Sequence, residues 1–283
     1  MIISKFTQTK KYLPAIVIKQ DIVALDDIFT IAEEQLVEDI LGEDLYAQLE
    51  KKEDQDKTLT VMCERVISLS GFLQAIPEMD LVLTQSGFAV HDSDGLAPAS
   101  PARVKALKEA TLLRLDSSTD TLIRFLLKSS DYETLWRNSE AFDKITAGLV
   151  PTFTDFKDYA AFSPAVASVY PQSYSEFKKL YSALNAAIIS EVAPYLSQEY
   201  CDELIEKYRD DEIITLYEKY VLRLIRQGIC SFVLGDTSNS RMYISKARSY
   251  MLKEPDAFPR FITSEQSKAL VASSDDTAIF SAL

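Results

Sequence analysis

Glycine and histidine are scarce in this sequence, and their scarcity restricts the chemistry that the chain can carry. The 283 residues include 7 glycines and one histidine, His91. Phosphate-binding loops need clustered glycines, because the backbone must turn tightly against the phosphate. Hydrolytic triads need a histidine held between a carboxylate and a nucleophile, and one histidine with three scattered cysteines lacks the ligand spacing of a zinc site. We therefore expect no cofactor, no metal ion and no histidine-based catalysis.

Cysteines and long apolar runs are also few. Cys63, Cys201 and Cys230 stand far apart, are odd in number and form no CxxC pair. Each lies in an apolar helical pattern, which predicts buried, reduced thiols and hence a reducing compartment such as the cytoplasm. The N-terminus, MIISKFTQTKKYLP, lacks the apolar core and the cleavage site of a secretory signal. The sequence contains no run of about 18 apolar residues, so it predicts no membrane span.

Negative charge is abundant. The sequence carries 43 acidic against 30 basic side chains, a net charge of −13. A surface of this charge repels nucleic acids and anionic lipids. The basic clusters, at 9–12 and 246–253, are short and lack aromatic residues interleaved with them on a strand-like platform. We therefore expect no direct, sequence-specific binding of nucleic acid and no membrane partner.

Apolar residues recur at spacings of three and four along most of the chain, which is the pattern of amphipathic helices. The predicted helices cover 25–42, 45–49, 59–75, 100–126, a short one that contains Trp136 and Phe142, 173–194, 197–208, 211–234 and 240–252. Gly42 and Pro77 are expected to end the first and third of these, and Ser100 to cap the long fourth one ahead of Pro101. The sequence therefore predicts a mainly α fold.

Two segments depart from this helical pattern. The first 18 residues mix β-branched and polar side chains around Pro14, which predicts an extended arm or an edge strand. Residues 149–171 are rich in aromatics and are expected to form an irregular connection that includes some strand. The tyrosines near this connection suit either an irregular core or an interface, and we favour the core. These tyrosines are Tyr159, Tyr170, Tyr174 and Tyr181.

A change of period marks the segment around 80–98. Apolar and polar residues alternate there, with breaks at Gly87 and at the sequence DSDG of 92–95, so we predict a minor β-hairpin. The acidic turn after His91 resembles part of a calcium loop, but Val90 and Pro101 would occupy its first and twelfth ligand positions. We therefore interpret His91 as a strand-end residue beside a turn.

Acidic residues concentrate on two of the predicted helices. Glu33, Glu34, Glu38 and Asp39 mostly lie off the apolar stripe of the first helix, and 210–212 begin a later one. Solvent exposure explains the first group, and a favourable interaction of negative charge with a helix N-terminus explains the second. Two suitably spaced carboxyl groups are all that some hydrolases need, so a carboxylate-dependent hydrolase stays open as an alternative.

The chain also shows signs of internal repetition. When 21–76 are aligned without gaps to 176–231, 10 of 56 positions are identical and the apolar positions stay in phase. Either a duplication or a chance match of two helical hairpins explains this similarity. We divide the chain into four segments. The first is an arm with an N-terminal helical unit (1–76), and the second contains the hairpin, the long helix and the connection (77–172). A C-terminal helical unit (173–259) and a loosely held tail (260–283) follow, and all four could form one domain.

Three stretches carry a resemblance to known proteins. They are AEEQLVEDILGEDLYAQL (32–49), TQSGFAV (84–90) and APASPARVKAL (97–107). In this order they resemble an uncharacterised family of phages and prophages of gut bacteria. The N-terminal helices, with ILG at 40–42, are similar to head–tail connector (head-completion) proteins of tailed phages, although this chain is larger and has an inserted hairpin. The resemblance implies a ring-forming adaptor between portal and tail without chemistry of its own.

We therefore expect a non-enzymatic virion structural or assembly protein that acts through contacts between its own copies and with portal or tail proteins. An acidic ring lumen would let DNA pass by like-charge repulsion. The alternatives are the carboxylate-dependent hydrolase and a bacterial cytoplasmic adaptor unrelated to phage. Interface candidates come from the arm, the hairpin and the tail, although each could instead complete the core of its own subunit. These candidates are Phe6, Tyr12, Phe88, Val90, Phe280 and Leu283.

Overall fold

The chain is organised as two compact helical units, Met1–Phe142 and Asp143–Leu283. The computed structural model describes residues 2–3, 6–13, 26–51, 57–79, 81–84, 87–90, 100–129, 132–146, 149–162, 170–209, 212 and 215–268. The predicted mainly α fold is confirmed. The boundary between the units falls inside the predicted middle segment, 77–172, rather than at either of its ends.

The first unit is built around a pair of long helices. Its helices are α1 (Phe6–Thr9), α2 (Asp26–Leu36), α3 (Glu43–Glu50), α4 (Lys57–Met79), α5 (Pro101–Lys128) and α6 (Glu133–Arg137), and α7 (Glu140–Thr146) follows at the boundary. A π-helical turn, Val37–Leu41, continues α2. Helix α4 packs against both α2 and α5, and their apolar faces form the core of this unit. Trp136 on α6 joins that core by donating a 2.6 Å hydrogen bond to the carbonyl of Ile40.

Between α4 and α5 lies the predicted β-hairpin, whose strands are confirmed. Strands β1 (Leu81–Thr84) and β2 (Gly87–Val90) pair antiparallel, with Leu81 opposite Val90 and Thr84 opposite Gly87. Ser100 occupies the N-cap position of α5 and Pro101 its first turn, as predicted, although the Ser100 side chain makes no capping hydrogen bond. His91 lies outside the described residues.

The N-terminal segment differs from the extended arm that the sequence predicts. Residues 6–9 form the helical turn α1, which packs against α4 of the same unit. The backbone amides of Ile2 and Ile3 donate hydrogen bonds of 2.6 and 3.1 Å to the carboxylate of Glu33. The prediction of an extended segment over 6–9 is wrong because contacts with α2 and α4, rather than local propensity, determine the backbone there.

Helix α4 continues through the proline that was expected to end it. Pro77 lies in the last turn, so the loss of its one backbone hydrogen bond and the clash of its ring with the preceding turn affect only the end of the helix. Among the described residues one segment, Thr58–Pro77 of this helix, is long and apolar enough to cross a membrane. More than half of it is buried within the structure, as in the core helix of a globular unit.

The second unit also centres on two long helices. Its helices are α8 (Phe153–Ala160), α9 (Tyr174–Lys178), α10 (Tyr181–Ala187), α11 (Ala193–Leu196), α12 (Gln198–Arg209), α13 (Leu216–Val233), α14 (Thr237–Lys253) and α15 (Pro259–Ile262). A π-helical turn, Ile188–Val192, links α10 to α11. Helix α13 packs against α14 and against α8 and α10, and Phe177 is the centre of an aromatic cluster in this core.

Three sequence predictions for the second unit are corrected. Residues 153–160 form α8 instead of an irregular connection, because Thr152 caps the helix by accepting a 3.0 Å bond from the Asp155 amide. Helix α13 begins at Leu216, after the N-cap Thr215, and not at 211. The predicted loose tail is partly packed, since Phe261 on α15 is fully buried; residues 269–283 lie outside the described part.

Both units contain a π-helical turn, then shorter helices and then a pair of long helices. The first unit runs in the order α2, π-helical turn, α3, α4, α5 and α6. The second runs in the order α10, π-helical turn, α11, α12, α13, α14 and α15. Gly42 and Ser197, which precede α3 and α12, have almost the same unusual backbone angles, φ 76°, ψ 156° and φ 77°, ψ 148°. They are 155 residues apart, which is the offset of the sequence repeat. Duplication and a chance match of two helical hairpins both remain compatible with these features, because the π-helical turns are 151 residues apart rather than 155.

Candidate functional site

The residues proposed from sequence as interface candidates do not form one site among the described residues. Tyr12 is half-buried against its own unit, where its hydroxyl donates a hydrogen bond to Glu64 and its ring lies 6.0 Å from the Arg65 guanidinium. The side chains of Phe6, Phe88 and Val90, and the whole of Phe280 and Leu283, lie outside the described part of the structure. Their role as interface residues stays a prediction.

The acidic residue Glu33 is buried, whereas the sequence predicts that it lies on a solvent-exposed helix face. Its side chain is buried, and its two oxygens accept bonds from the amides of Ile2 and Ile3 and a 2.8 Å bond from the Tyr46 hydroxyl. These bonds connect the N-terminal residues with α2 and α3. Glu33 is therefore a structural acceptor rather than a candidate catalytic acid.

Two further buried carboxylates were not singled out by the sequence. Asp116 and Asp120 lie one turn apart on α5, and both are almost fully buried. Their spacing places them on one face of the helix, beside the buried Thr119. In the sequence, only their position near the apolar stripe of the predicted helix 100–126 indicated that they are buried. Among the described residues no group of three or more histidine, cysteine, aspartate or glutamate side chains could hold a metal ion.

The three cysteines are free and buried, as predicted. Burial raises the pKa of each thiol above its ordinary value, and that of Cys201 rises to about 12. The thiolate is the reactive form of cysteine, so these thiols are held in their unreactive form at neutral pH.

A cavity of about 660 Å³ opens within the second unit between α8 and α13. Its basic residues are Lys219, Arg223 and Arg226, which follow one another at helical spacing along α13. Its acidic residues, Asp155 and Asp158, come from α8. Apolar walls are supplied by Ala161, Phe162 and Leu222, and Tyr159 lies beside them.

Arg226 forms the innermost charged wall of this cavity. Its side chain is 9% exposed, and one terminal nitrogen, Nη1, donates a 3.2 Å hydrogen bond to the Tyr159 hydroxyl. The guanidinium carbon lies 4.8 Å from the ring centre of Tyr208 and 5.7 Å from that of Tyr159. Burial acts to lower the pKa of Arg226, but Tyr208, Tyr159 and Asp155 outweigh it and raise that pKa, so the side chain is a buried cation.

The other two donor atoms of Arg226, Nε and Nη2, are buried and make no hydrogen bond within the protein. A buried donor without a partner costs about 1–3 kcal/mol, and more when the group is charged. Aromatic rings stabilise a cation by their electron-rich faces but do not accept its in-plane N–H bonds. Arg226 therefore borders the cavity as a buried cation, and its Nε and Nη2 atoms are enclosed by the protein rather than open to the cavity.

A separate apolar patch is exposed where α13 begins. Leu216 is 83% exposed, and Tyr217 and Tyr220 are both partly exposed beside it. The ring of Tyr250 on α14 lies 4.7 Å from that of Tyr220 and 6.4 Å from that of Tyr217. We call these four residues the α13 patch. Clustered tyrosines flanking an exposed aliphatic side chain are typical of protein–protein contact surfaces.

Comparison with known proteins identifies one family. Residues 28–145 match a family of unknown function (DUF6712). This match spans α2 to α7 and leaves most of the second unit outside it, so the similarity covers less than half of the chain. No curated protein and no solved structure matches the sequence.

Proposed function

We propose that the protein is a non-enzymatic structural or assembly protein of a phage or prophage particle, of the head–tail connector type, that acts through contacts between its own copies. The observation that carries this proposal is the α13 patch. A side chain as large as Leu216 at 83% exposure, grouped with three tyrosines, is costly to leave in water and gains free energy when a partner covers it.

The resemblance of 32–49 and 97–107 to phage proteins supports the phage part of the proposal. The acidic composition adds to it, because a net charge of −13 on a ring lumen would keep DNA from adhering. The engagement of Glu33 with backbone amides is consistent with a structural use of buried acids. Portal, capsid or tail genes beside the gene for this chain would add support, and their absence would favour the host-adaptor alternative.

The test measures mass against concentration for the full chain, by analytical ultracentrifugation or mass photometry. We expect species heavier than one 31.8 kDa chain to grow with concentration. Leu216→Asp should shift the distribution toward single chains by roughly tenfold or more in concentration, since it places a charge in a contact centre. Aspartate is favourable in the first turn of a helix, so this change leaves α13 intact.

Ile189→Asp is the matched control, because Ile189 is an equally apolar, 66% exposed side chain of the same unit that lies outside the α13 patch. It should leave the mass distribution unchanged. A mass of one chain at every concentration would contradict self-association. Equal loss of the heavier species in both variants would show that the α13 patch is not the contact.

A further inference from the structure

A groove on the first unit collects positive charge. It has a volume of about 370 Å³ and lies between α4 and α5, with Tyr12 of the N-terminal segment at its side. Arg65 of α4 and Arg114 of α5 border it, and among the described residues no carboxylate does. The other lining residues are Tyr12, Leu69, Leu113, Ser117 and Ser118. Two helices therefore bring two cations to one groove.

Both guanidinium groups are accessible to a ligand. Arg65 and Arg114 are exposed side chains, and neither forms an ion pair with another described residue. By comparison, the exposed Lys105 of α5 pairs with Glu109 at 3.8 Å. Two like charges that border one groove repel each other, and an anion in the groove offsets that repulsion.

The carboxylate beside this groove is already paired. Glu64 precedes Arg65 on α4, and its Oε2 accepts a 2.8 Å bond from the Lys11 ammonium and a further bond from the Tyr12 hydroxyl. Because Lys11 balances the charge of Glu64, this carboxylate does not neutralise the arginines. The groove keeps its positive charge.

The groove belongs to a basic side of α5. Arg103, Arg114 and Lys128 lie on one side of this helix, since they are separated by nearly whole numbers of turns. The three acidic residues of α5 lie on other sides, and two of them, Asp116 and Asp120, are buried. In a chain of net charge −13, this side is a local exception to the general repulsion of polyanions.

The arrangement of donors selects the class of anion. A carboxylate presents two oxygens in one plane, which suits a single guanidinium group. A phosphate group presents three oxygens in different directions and carries up to two negative charges, which suits two guanidinium groups from different helices. The Ser117 hydroxyl lines the same groove and makes no hydrogen bond to a described residue. We propose that this groove binds a phosphate group through Arg65 and Arg114, with Ser117 as a further donor.

Two sources supply a phosphate group: the free ion or a small phosphate ester, and the backbone of a nucleic acid. A backbone contact does not read base sequence, so this source agrees with the expected lack of sequence-specific binding. The groove lies in the first unit and the α13 patch in the second. The proposal therefore does not rest on the proposed assembly role.

The test titrates the full chain with inorganic phosphate at pH 7.5 and constant ionic strength, and ³¹P NMR follows binding. Phosphate is mainly a dianion at this pH. We expect saturable binding of one phosphate per chain below roughly 10 mM. Chloride over the same range should not displace the bound phosphate at constant ionic strength.

A labelled oligothymidine of about ten nucleotides, a length typical of single-strand sites, distinguishes the two sources. Its binding is measured by fluorescence anisotropy in the same buffer. Tighter binding of the oligonucleotide than of free phosphate points to the backbone, because several phosphates contact the basic side of α5 together. Tighter binding of free phosphate points to the ion or a small ester.

Three variants locate the phosphate. Arg65→Gln and Arg114→Gln each remove one of the two charges and should weaken phosphate binding by about fivefold or more. Arg103→Gln is the matched control, because it makes the same change at an exposed arginine of α5 outside the groove, roughly 17 Å from Arg114 along the helix. It should bind free phosphate as the native protein does. Circular dichroism checks that each variant keeps its helices.

The native titrations decide the proposal first. No saturable binding of either phosphate or oligothymidine would overturn it. Equal weakening of phosphate binding in all three variants would also overturn it, because the effect would then follow net charge and not the groove. Unchanged affinity in both groove variants would place the phosphate elsewhere. None of these results bears on the α13 patch, whose test is the dependence of mass on concentration.

Discussion

At the scale of single residues, two positions share an unusual backbone conformation. Gly42 and Ser197 share a backbone conformation with φ near +77°, in a region that glycine alone adopts without strain. Ser197 compensates in part, because its hydroxyl accepts a 3.2 Å hydrogen bond from the Tyr200 amide and so caps α12. The same bend is thus produced by a glycine in one unit and by a capping serine in the other.

This pair gives the first residue-scale prediction. Gly42→Ala should lower the free energy of unfolding by roughly 2–4 kcal/mol, because a side chain there is strained and its Cβ would lie 2.5 Å from that of Ser139. Ser197→Gly should change it by less than about 1 kcal/mol, because relief of strain offsets the lost cap. Urea unfolding of both variants measures the difference. Equal destabilisation would show that the two bends are not equivalent.

The buried thiols give the second residue-scale prediction. Cys63, Cys201 and Cys230 should not react with an aromatic disulfide reagent in the folded protein at pH 8, because burial raises the pKa of each thiol and keeps reagent away. All three should react within minutes once urea unfolds the chain. Rapid reaction of a thiol in the native state would show that one of these positions opens to solvent.

At the scale of elements, α13 depends on a group of polar contacts at its start. Thr215 and Glu218 form a reciprocal cap, and Glu218 also bonds to Lys207 on α12 at 2.7 Å. Burial acts to raise the pKa of Glu218, but the bonds from Lys207 and Thr215 outweigh it and hold that pKa below its ordinary range. These contacts therefore fix where α13 begins and how it meets α12.

A pH dependence follows from this lowered pKa. A carboxylate with a lower pKa in the folded than in the unfolded chain adds stability above its unfolded value, near pH 4.5, which is lost as pH falls through the folded pKa. Glu218→Gln should cost roughly 1–2 kcal/mol at pH 7 and less at low pH. Unfolding free energies at pH 7 and near pH 3 measure this difference. The exposed Glu212→Gln is the control, and an equal cost of Glu218→Gln at both pH values would contradict the assignment.

At the scale of the whole molecule, the two units have separate cores, one around Trp136 and one around Phe177. Separate cores predict that the units lose structure in separate steps. Phe177→Ala removes the centre of the second core and should destabilise that unit by roughly 3–5 kcal/mol. Because Trp136 is the only tryptophan, its fluorescence reports the first unit alone.

The measurement compares two signals during urea unfolding of Phe177→Ala. Circular dichroism, which reports all helices, should show an early transition that tryptophan fluorescence lacks. Fluorescence should keep the midpoint of the unaltered protein. If both signals shift together, the two units unfold as one cooperative body.

Much of the fold was predictable because helices are encoded locally. Apolar spacing identified α2, α4, α5, α10 and α12, and alternation identified the hairpin strands, since each period needs only a few neighbouring residues. The missed helix α8 is two turns long, and its apolar residues, Phe153 and Phe156, are aromatics that the sequence also allows in strands. A local pattern of that length does not distinguish a helix from a strand.

The helical class and the buried thiols could be derived from the sequence alone, because each depends on short-range periodicity or on residue type. The folded structure was needed to show that Glu33 accepts bonds from the N-terminal amides and that Arg226, with two unpaired buried donors, lies beside a cavity. Both depend on which distant residues meet, and on how completely folding removes a charge from water. A list of charged residues along the chain does not contain that information.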